Sequence, residues 1–382
     1  MQHNNSVFHD VLKRVPWAAF ERLVVAQGAD KHVRRLDTKA QLIALLYGQL
    51  SGASSLREIV GGLESHRARL YHLGADVVQR STLADANARR PAAVFAGLFT
   101  AMVAQAQRGL RRKMGDALYL IDATSLPIGG TGSAWAYYAA KPCGVKAHVI
   151  YDADAARPIY AAMTPARCSD IAAAREMPID PGATYVFDLG YYDYAWWAKL
   201  DDAGCRIVTR FKSSTPLAVT AELKVARKSG ILSDRIGLLP RRQAASRRNP
   251  FSDPVREVRV RTESGKILRI LCNDLDAPAA EIAALYKRRW AIELFFRWVK
   301  QTLRIRHFLG TSENAVRIQI AVALIAYLLL QLAAASQKAV ASPLAFARLV
   351  RANLMHRKRI DRLLHYKNPD PPDPNQLAIQ WS

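Results

Sequence analysis

Two apolar runs of the sequence each end in an aspartate. Residues 117–122 read ALYLID, and residues 183–188 read ATYVFD. An apolar strand does not need a carboxylate at its end, and burying an unpaired one is costly. Because functional sites in α/β sheets assemble at strand ends, Asp122 and Asp188 are candidate active-site residues. Aspartate is also a frequent turn residue after a strand, so this alternative stays open for either residue taken alone.

A glutamate surrounded by cations adds a third candidate. The stretch from Tyr286 to Lys300 is predicted to form one helix with an apolar stripe that packs on the core. At about 100° per residue, four of its side chains fall within an arc of about 60° beside that stripe. They are Tyr286, Arg289, Glu293 and Lys300. A surface helix with salt bridges between residues four apart is the alternative, but it leaves this lone glutamate among cations unexplained.

Three carboxylates at one point would repel each other, and divalent cations would relieve that repulsion. Mg²⁺ prefers oxygen ligands and commonly binds through a few carboxylates together with a substrate phosphate. Two such ions about 3.5–4 Å apart can activate a water or a 3′-hydroxyl and stabilise the departing oxygen. Asp122, Asp188 and Glu293 are therefore predicted to hold two Mg²⁺ ions, for which Mn²⁺ can substitute, while Arg289 and Lys300 bind DNA phosphate.

The charge balance points to a polyanionic partner. The 382 residues contain 55 Lys and Arg against 32 Asp and Glu, a formal charge of +23. Such an excess concentrates nucleic acid or an anionic membrane near the protein. A basic protein without a polyanionic partner is the alternative.

Neither secretion nor membrane insertion is expected. The four cysteines are far apart and show no zinc or disulfide spacing, and the N-terminus lacks the apolar core of a signal peptide. The longest apolar stretch, Ile320–Leu330, is too short to cross a bilayer of about 30 Å. A cytoplasmic, DNA-associated protein is predicted.

The first part of the chain, residues 1–112, is predicted to be a helical DNA-binding domain. Its apolar residues recur at helical spacing in several segments, and Ser81-Thr82 is predicted to cap a further helix, STLADANARR. A helix-turn-helix is possible on this pattern. The segments are Val7–Val25, Thr38–Ser51, Ser54–Gly61 and Ala92–Arg108.

Residues 113–340 are predicted to form a mixed α/β catalytic domain. Its elements occur in the order strand, strand, strand, helix, strand, helix, strand. A β-rich insertion at about 213–276 includes a hairpin over 255–274, in which Val255–Arg261 is predicted to have one dry and one cationic face. Residues 341–382 are predicted to be a basic helical region with a proline-rich tail.

The spacing Y-x2-R-x3-E-x6-K at Tyr286, Arg289, Glu293 and Lys300 resembles the signature of the insertion sequence 4 family of bacterial DDE transposases. The first two acids lie in YLIDATSLP and YVFDLGYYDY, which resemble motifs of the same family. The resemblance implies an RNase H-like core with a β-rich insertion, preceded by a helical domain. It implies that Asp122, Asp188 and Glu293 are metal ligands.

The resemblance also implies a reaction and its partners. The ends of an insertion sequence are cut and joined to target DNA by attack of a 3′-hydroxyl. Tyr286, Arg289 and Lys300 would contact DNA near the scissile phosphate. Three more cations are predicted to contact DNA: Arg210, Lys212 and Arg297. The partners would be double-stranded DNA, as terminal inverted repeats and target, and a second copy of the chain on the paired ends.

Several alternatives stay open. An RNase H-like nuclease that cuts without joining would have the same acids, and a DNA-binding repressor would keep them without using them. Asp152 and Asp193 could be mistaken for active-site acids, and Trp196-Trp197 is predicted to pack in the core. Some family members trap a flipped base with an aromatic side chain of the insertion, which here could be only Phe211 or Phe251. The arginines of RRQAASRRNP could contact phosphate or form a solvated loop.

Overall fold

The computed structural model describes residues 6–107, 117–128, 135, 144–226, 229–244, 247–302, 308–336 and 343–363. The predicted proline-rich tail lies outside these residues, as does Cys143, one of the four cysteines.

Helices form the first part of the described chain. Thr38–Ser51 is a helix with the predicted bounds. The predicted helix Val7–Val25 is two helices, because Pro16 cannot continue the first one and stands at the N-cap of the next. Ser81 and Thr82 lie inside a first turn that Gln79 precedes, so their predicted capping role is wrong. The helices are α1 (Val7–Leu12), α2 (Trp17–Ala26), α3 (Thr38–Ser51), α4 (Leu56–Ser65), α5 (Arg67–Leu70), α6 (Arg80–Arg89) and α7 (Ala92–Gln107).

Two C-terminal helices pack against these helices. They are α12 (Glu313–Ala335) and α13 (Pro343–Asn353). α12 contacts α3, α6 and α7, and backbone bonds join Phe8 to the carbonyl of Leu354 at 2.8 Å. α12 is long and apolar enough to span a membrane, but 78% of its most apolar window is buried inside the protein, as in a core helix. The division into three domains stays a prediction.

In the described part of the chain, nine strands form one sheet. They are β1 (Leu118–Pro127), β2 (Gly144–Asp152), β3 (Arg157–Pro165), β4 (Thr184–Phe187), β5 (Arg206–Arg210), β6 (Ala218–Glu222), β7 (Ile231–Leu238), β10 (Val255–Arg261) and β11 (Ile267–Cys272), while β8 (Arg242–Ala244) and β9 (Arg247–Arg248) form a separate ribbon. The order of the nine strands across the sheet is β3-β2-β1-β4-β5-β11-β10-β7-β6.

The first five strands have the RNase H-like arrangement. β1, β2 and β3 are antiparallel, whereas β4 and β5 lie parallel to β1. Helices α8 (Asp170–Ala174) and α9 (Tyr194–Asp202) precede and follow β4. Side chains of β1 alternate between two cores, with Leu120 in the one shared with α12 and Ile121 in the one shared with Trp197. The predicted mixed α/β fold with a β-rich insertion is confirmed.

The insertion continues the same sheet, since β11 pairs antiparallel with β5. The prediction of one dry and one cationic face for Val255–Arg261 is wrong. Arg256 and Glu257 are both buried, and a register shift at Arg259/Val260 interrupts the alternation. Arg256 is buried because it forms a two-fold hydrogen-bonded pair with Asp234 on β7.

The predicted helix from Tyr286 to Lys300 is interrupted once. α10 (Ala279–Arg288) ends before Arg289, and α11 (Trp290–Thr302) begins after it. Arg289 keeps a helical backbone, but its amide donates to the carbonyl of Tyr286 at 3.1 Å, a bond of 3₁₀ type. The chain thus makes one tight turn between the two helices.

Candidate active site

Asp122 lies within β1 rather than at its end, because β1 runs five residues further than the apolar run predicts. The extension to Pro127 pairs with β2, and Asp122 itself is opposite Val149. Because side chains alternate along a strand, Asp122 lies on the same sheet face as Leu120, the face that packs against the helical core. The Asp122 carboxylate accepts a hydrogen bond from the amide of Ala123 at 2.8 Å.

Asp188 directly follows β4, at the predicted strand end. Its Oδ1 accepts a hydrogen bond from the amide of Gly190 at 2.8 Å, which starts a 3₁₀ turn over Leu189–Tyr191. A Cβ at Gly190 would lie 2.9 Å from Oδ2 of Asp170 and 3.1 Å from Oδ1 of Asp188. A side chain at this position would therefore displace the carboxylate of Asp170 or Asp188.

Arg289 joins the first and third acids. Its Nη1 lies 3.7 Å from Oδ2 of Asp122, and its Nη2 lies 2.5 Å from Oε1 of Glu293. The three side chains are partly buried. Arg289 thus contacts Glu293 on α11 and Asp122 on the sheet, so these two acids lie on either side of one guanidinium.

The charges of Asp188 and Glu293 act on Asp122. The pKa of Asp122 is raised to about 6, mainly because burial disfavours the charged carboxylate, and the negative charges of Asp188 and Glu293 contribute to this rise. The amide of Ala123 and the Arg289 guanidinium act in the opposite direction. Burial and the two neighbouring acids therefore outweigh Ala123 and Arg289 at Asp122.

Tyr286 and Arg210 belong to the same neighbourhood. The Tyr286 side chain is buried, and the Arg289 guanidinium lies 5.8 Å from its ring centre. Burial raises the pKa of Tyr286, while the positive charges of Arg289 and Arg210 oppose this shift and the charge of Asp188 adds to it. Arg210, at the end of β5, is exposed.

The other three residues predicted to contact DNA differ in exposure and in the sheet face on which they lie. Arg297 is exposed on α11, four residues after Glu293, and Lys300 is half-buried further along the same helix. The Lys212 ammonium lies 4.4 Å from the ring centre of Tyr192, which belongs to the core on the opposite sheet face.

The alternative acids and aromatic residues have structural roles. Asp152 accepts hydrogen bonds from the turn after β2, and Asp193 caps α9 and pairs with Arg175 at 2.8 Å. Trp196 and Trp197 are buried in the core, as predicted. Phe211 and Phe251 are also buried, so neither presents a ring face to a base.

Sequence reasoning missed a polar cluster next to Asp188. Lys146 donates to Asp170 at 2.9 Å and to the carbonyl of Cys168 at 3.0 Å. The Tyr191 hydroxyl is buried and has no hydrogen-bond partner among the described residues. Burial raises the pKa of Tyr191, and so do the charges of Asp170, Asp122 and Asp188. A lysine within the buried strand GVKAHVIYD was the available signal.

Comparison with known proteins identifies the family. A model described as "Transposase DDE domain" matches residues 113–329, and a "Domain of unknown function (DUF4372)" matches residues 3–76. The first of these matches covers more than half of the chain. The chain belongs to the DDE transposases.

Curated relatives carry names of the same family. "Putative transposase y4zB" of Sinorhizobium fredii is 40% identical over 78% of this chain and 83% of its own length. "Probable transposase for insertion sequence element IS5377" of Geobacillus stearothermophilus is 28% identical over 77% of this chain and 81% of its own. "Putative transposase for insertion sequence element IS4SA" of Synechocystis is 44% identical over 14% of this chain and 15% of its own. Among solved structures, the piggyBac transposase synaptic complex with hairpin DNA matches 91% of this chain and 79% of its own, with a TM-score of 0.48 and 14% identity.

Membership makes the protein a DNA transposase that binds DNA and uses divalent metal ions. The donor chemistry here fits such ions, since three carboxylates supply only oxygen, and burial together with the charges of Asp188 and Glu293 raises the pKa of Asp122. Among the described residues, however, no group of three His, Cys, Asp or Glu side chains has metal-binding spacing. The Arg289 guanidinium lies between Asp122 and Glu293 instead.

Proposed function

We propose that this transposase cuts the ends of an insertion sequence and joins them to target DNA at the site formed by Asp122, Asp188 and Glu293. The observation that supports the proposal is the Arg289 bridge between Asp122 and Glu293, together with the charge of Asp188 acting on Asp122. Asp234 and Glu257 in the insertion each have arginine partners of their own, whereas Asp122 and Glu293 share Arg289.

The three acids would hold two Mg²⁺ ions, for which Mn²⁺ can substitute. When bound, such ions activate the attacking oxygen and stabilise the leaving one. The chain's own part is to fix the acids: β1 holds Asp122, the turn at Gly190 holds Asp188, and α11 holds Glu293.

Arg289 has two kinds of partner in this proposal. Its planar guanidinium can bind a carboxylate or a phosphate in the same two-point manner. Without DNA it pairs with Asp122 and Glu293, and with DNA it binds the phosphate that is cut. Tyr286 supports the guanidinium, while Lys300 and Arg297 extend the phosphate-binding face along α11 and Arg210 and Lys212 extend it at β5.

The further assignments complete the proposal. The spacing Y-x2-R-x3-E-x6-K supports membership of the insertion sequence 4 group. Cutting and joining two ends requires both to be held together, so we propose a homodimer on DNA, working in the bacterial cytoplasm on terminal inverted repeats and target duplex.

A strand-transfer assay tests the reaction. The protein is incubated with Mg²⁺, a supercoiled target plasmid and a labelled duplex that ends in the inverted repeat flanking its gene. Label joined to the plasmid is the expected result. Cleavage without joined product would indicate a nuclease, and binding without cleavage in Mg²⁺ or Mn²⁺ would indicate a repressor.

A pair of glutamate variants tests the site. Glu293→Gln is expected to abolish cleavage and joining while DNA binding is kept. Glu313→Gln is the matched control, because Glu313 also pairs with an arginine four residues away, Arg317 at 2.6 Å, on a different helix. Full activity of Glu293→Gln would refute the site assignment.

A further inference from the structure

A strongly basic cleft lies in the N-terminal helical region. It has a volume of about 910 Å³ and lies between the loop 28–36 and helix α6. Four exposed cations line it, and one exposed acid, Asp85, lines it as well. The cations are Lys31, Arg34, Arg35 and Arg89.

These four cations have no ion-pair partner in the part of the chain that the structure describes. Among the ion pairs between described residues, none involves any of the four. Like charges that line one cleft repel each other, and a polyanion bound there would relieve the repulsion.

The loop that carries three of the cations has a fixed shape. Arg90, a buried guanidinium, donates to the carbonyl of Leu36 and to Gln41 at 3.1 Å. Asp30 accepts from the amide and the hydroxyl of Thr38 at 2.8 and 2.6 Å. His32 has a φ of 64°, a left-handed conformation that costs a residue with a side chain about 1 kcal/mol or more. The backbone that carries these cations is therefore fixed before any ligand binds.

The cleft is also connected to the catalytic helix through packed side chains. Asn314, at the start of α12, donates to the carbonyls of Asn87 and Arg90 at 2.9 and 2.6 Å. Further along α12, the ring of Tyr327 lies 4.9 Å from that of Phe295 on α11. A ligand held in the cleft is thus held at a fixed position relative to Glu293.

We infer that this cleft grips the phosphate backbone of duplex DNA at a distance from the cutting site. Cations without base-reading partners bind phosphate independently of sequence and set the position of the duplex on the protein. The inference rests on the proposed function for the identity of the ligand as the DNA that is cut. It gives the segment matched by the domain of unknown function, residues 3–76, a part in DNA binding.

The salt dependence of DNA binding tests this inference. Binding of a fluorescent duplex carrying the flanking inverted repeat, and of a scrambled duplex of equal length, is measured by anisotropy over a range of NaCl concentrations. Each lost phosphate contact lowers the slope of log K against log salt by about 0.9, so Arg34→Ala/Arg35→Ala is expected to lower it by about 2 on both duplexes. Arg34→Lys/Arg35→Lys keeps the charges and is expected to restore the slope.

A matched pair of arginines controls for net charge. Arg57→Ala/Arg67→Ala removes two exposed charges of the same helical region outside the cleft and is expected to leave the slope unchanged. An equal loss in both double variants would overturn the inference. A loss of binding to phosphatidylserine vesicles, with DNA binding kept, would assign the cleft to a membrane surface and also overturn it.

Cleavage measured in parallel separates the two proposals. Wild-type protein that cuts DNA, with a slope that does not respond to Arg34 and Arg35, would overturn only the cleft. Wild-type protein that shows the expected slopes but never cuts would overturn the proposed reaction and support the cleft.

Discussion

In the inserted half of the sheet, buried carboxylates have arginine partners of their own, whereas in the RNase H-like half Asp122 and Glu293 share Arg289. Asp234 forms two hydrogen bonds with Arg256, at 2.8 and 2.7 Å. Glu257 accepts hydrogen bonds from Arg235 and Arg269.

The pKa shifts of the two halves run in opposite directions. Burial alone would raise the pKa of Glu257, but the hydrogen bonds from Arg269 and Arg235 lower it below its ordinary value. Burial raises the pKa of Asp122 to about 6, and Arg289 does not reverse the shift. Arginines therefore outweigh the cost of burying a charged carboxylate in one half, whereas in the other half that cost is not fully offset. A bound cation would supply the charge that offsets it.

The largest effect is expected at Asp188, where a substitution should lower activity but hardly change stability. Asp188→Asn should lower the cleavage rate at least about a thousand-fold, because several kcal/mol of transition-state stabilisation are lost at about 1.36 kcal/mol per tenfold. The free energy of unfolding should change by less than about 1 kcal/mol. Asp253→Asn, in an exposed loop of the insertion, should leave both unchanged. A large loss of stability in Asp188→Asn would place this acid with the structural carboxylates.

Arg256 should show the reverse behaviour. Arg256→Met leaves Asp234 as a buried charge without its partner and should lower the free energy of unfolding by about 3–5 kcal/mol, measured by urea denaturation. Arg256→Met/Asp234→Leu removes both charges and should recover most of this loss. If the double variant is no more stable than the single one, the pair does not act as a balanced unit.

His148 extends the comparison to the neighbourhood behind the active site. It is fully buried on β2, its Nε2 lies 2.8 Å from the Thr164 hydroxyl, and burial lowers its pKa to about 4. Since its pKa in the unfolded chain is about 6.5, the folded state binds fewer protons between these values. The contribution of neutral His148 to the free energy of unfolding should be fully present above pH 6.5. It should fall with acidification, by about 1.4 kcal/mol at pH 5.5.

The control for this pH dependence is His148→Gln, which cannot titrate. Its stability should be lower at neutral pH but should lack the part of the acid dependence that comes from His148. Parallel pH profiles for the wild type and the variant would show that another group is responsible.

The smallest effect is expected at an exposed pair. Lys287 on α10 lies 3.1 Å from Glu263 in the turn between β10 and β11, and both side chains are more than 80% exposed. Replacing both with alanine should change the free energy of unfolding by less than about 0.5 kcal/mol. A larger change would mean that exposed ion pairs also stabilise this protein. The partners of the buried carboxylates would then not explain the difference between the two sheet halves.

Sequence alone predicted the elements that carry the acids, because apolar runs and helical spacing are local signals. It placed Arg289 and Glu293 on one helical face correctly, since residues four apart on a helix are neighbours, but their ion pair belonged to the alternative interpretation of a helix with salt bridges. It did not show that Asp122 lies within β1, because the residues after it are made into a strand by pairing with β2.

Two further features depended on contacts that are distant in the sequence. Arg256 was expected to be exposed, as arginine usually is, and its partner Asp234 lies on another strand. The helix was expected to be continuous through Arg289, where neither proline nor glycine signals the break. That Asp122, Asp188 and Glu293 lie together was therefore inferred from the family resemblance. The effect of Asp188 and Glu293 on the pKa of Asp122 is seen only in the folded chain.

The position of α12 has a consequence for how the protein is made. This helix fills the core between α3, α6 and α7, yet it is synthesised long after them. At about 5–20 residues added per second, the interval from Gln107 to Glu313 takes on the order of 10–40 s on the ribosome. During that time the apolar faces of the first helices lack their partner, so chaperones have a window to bind them. A nascent chain interrupted before Glu313 cannot complete this core, so it would be removed by proteolysis rather than released as a partial DNA-binding protein.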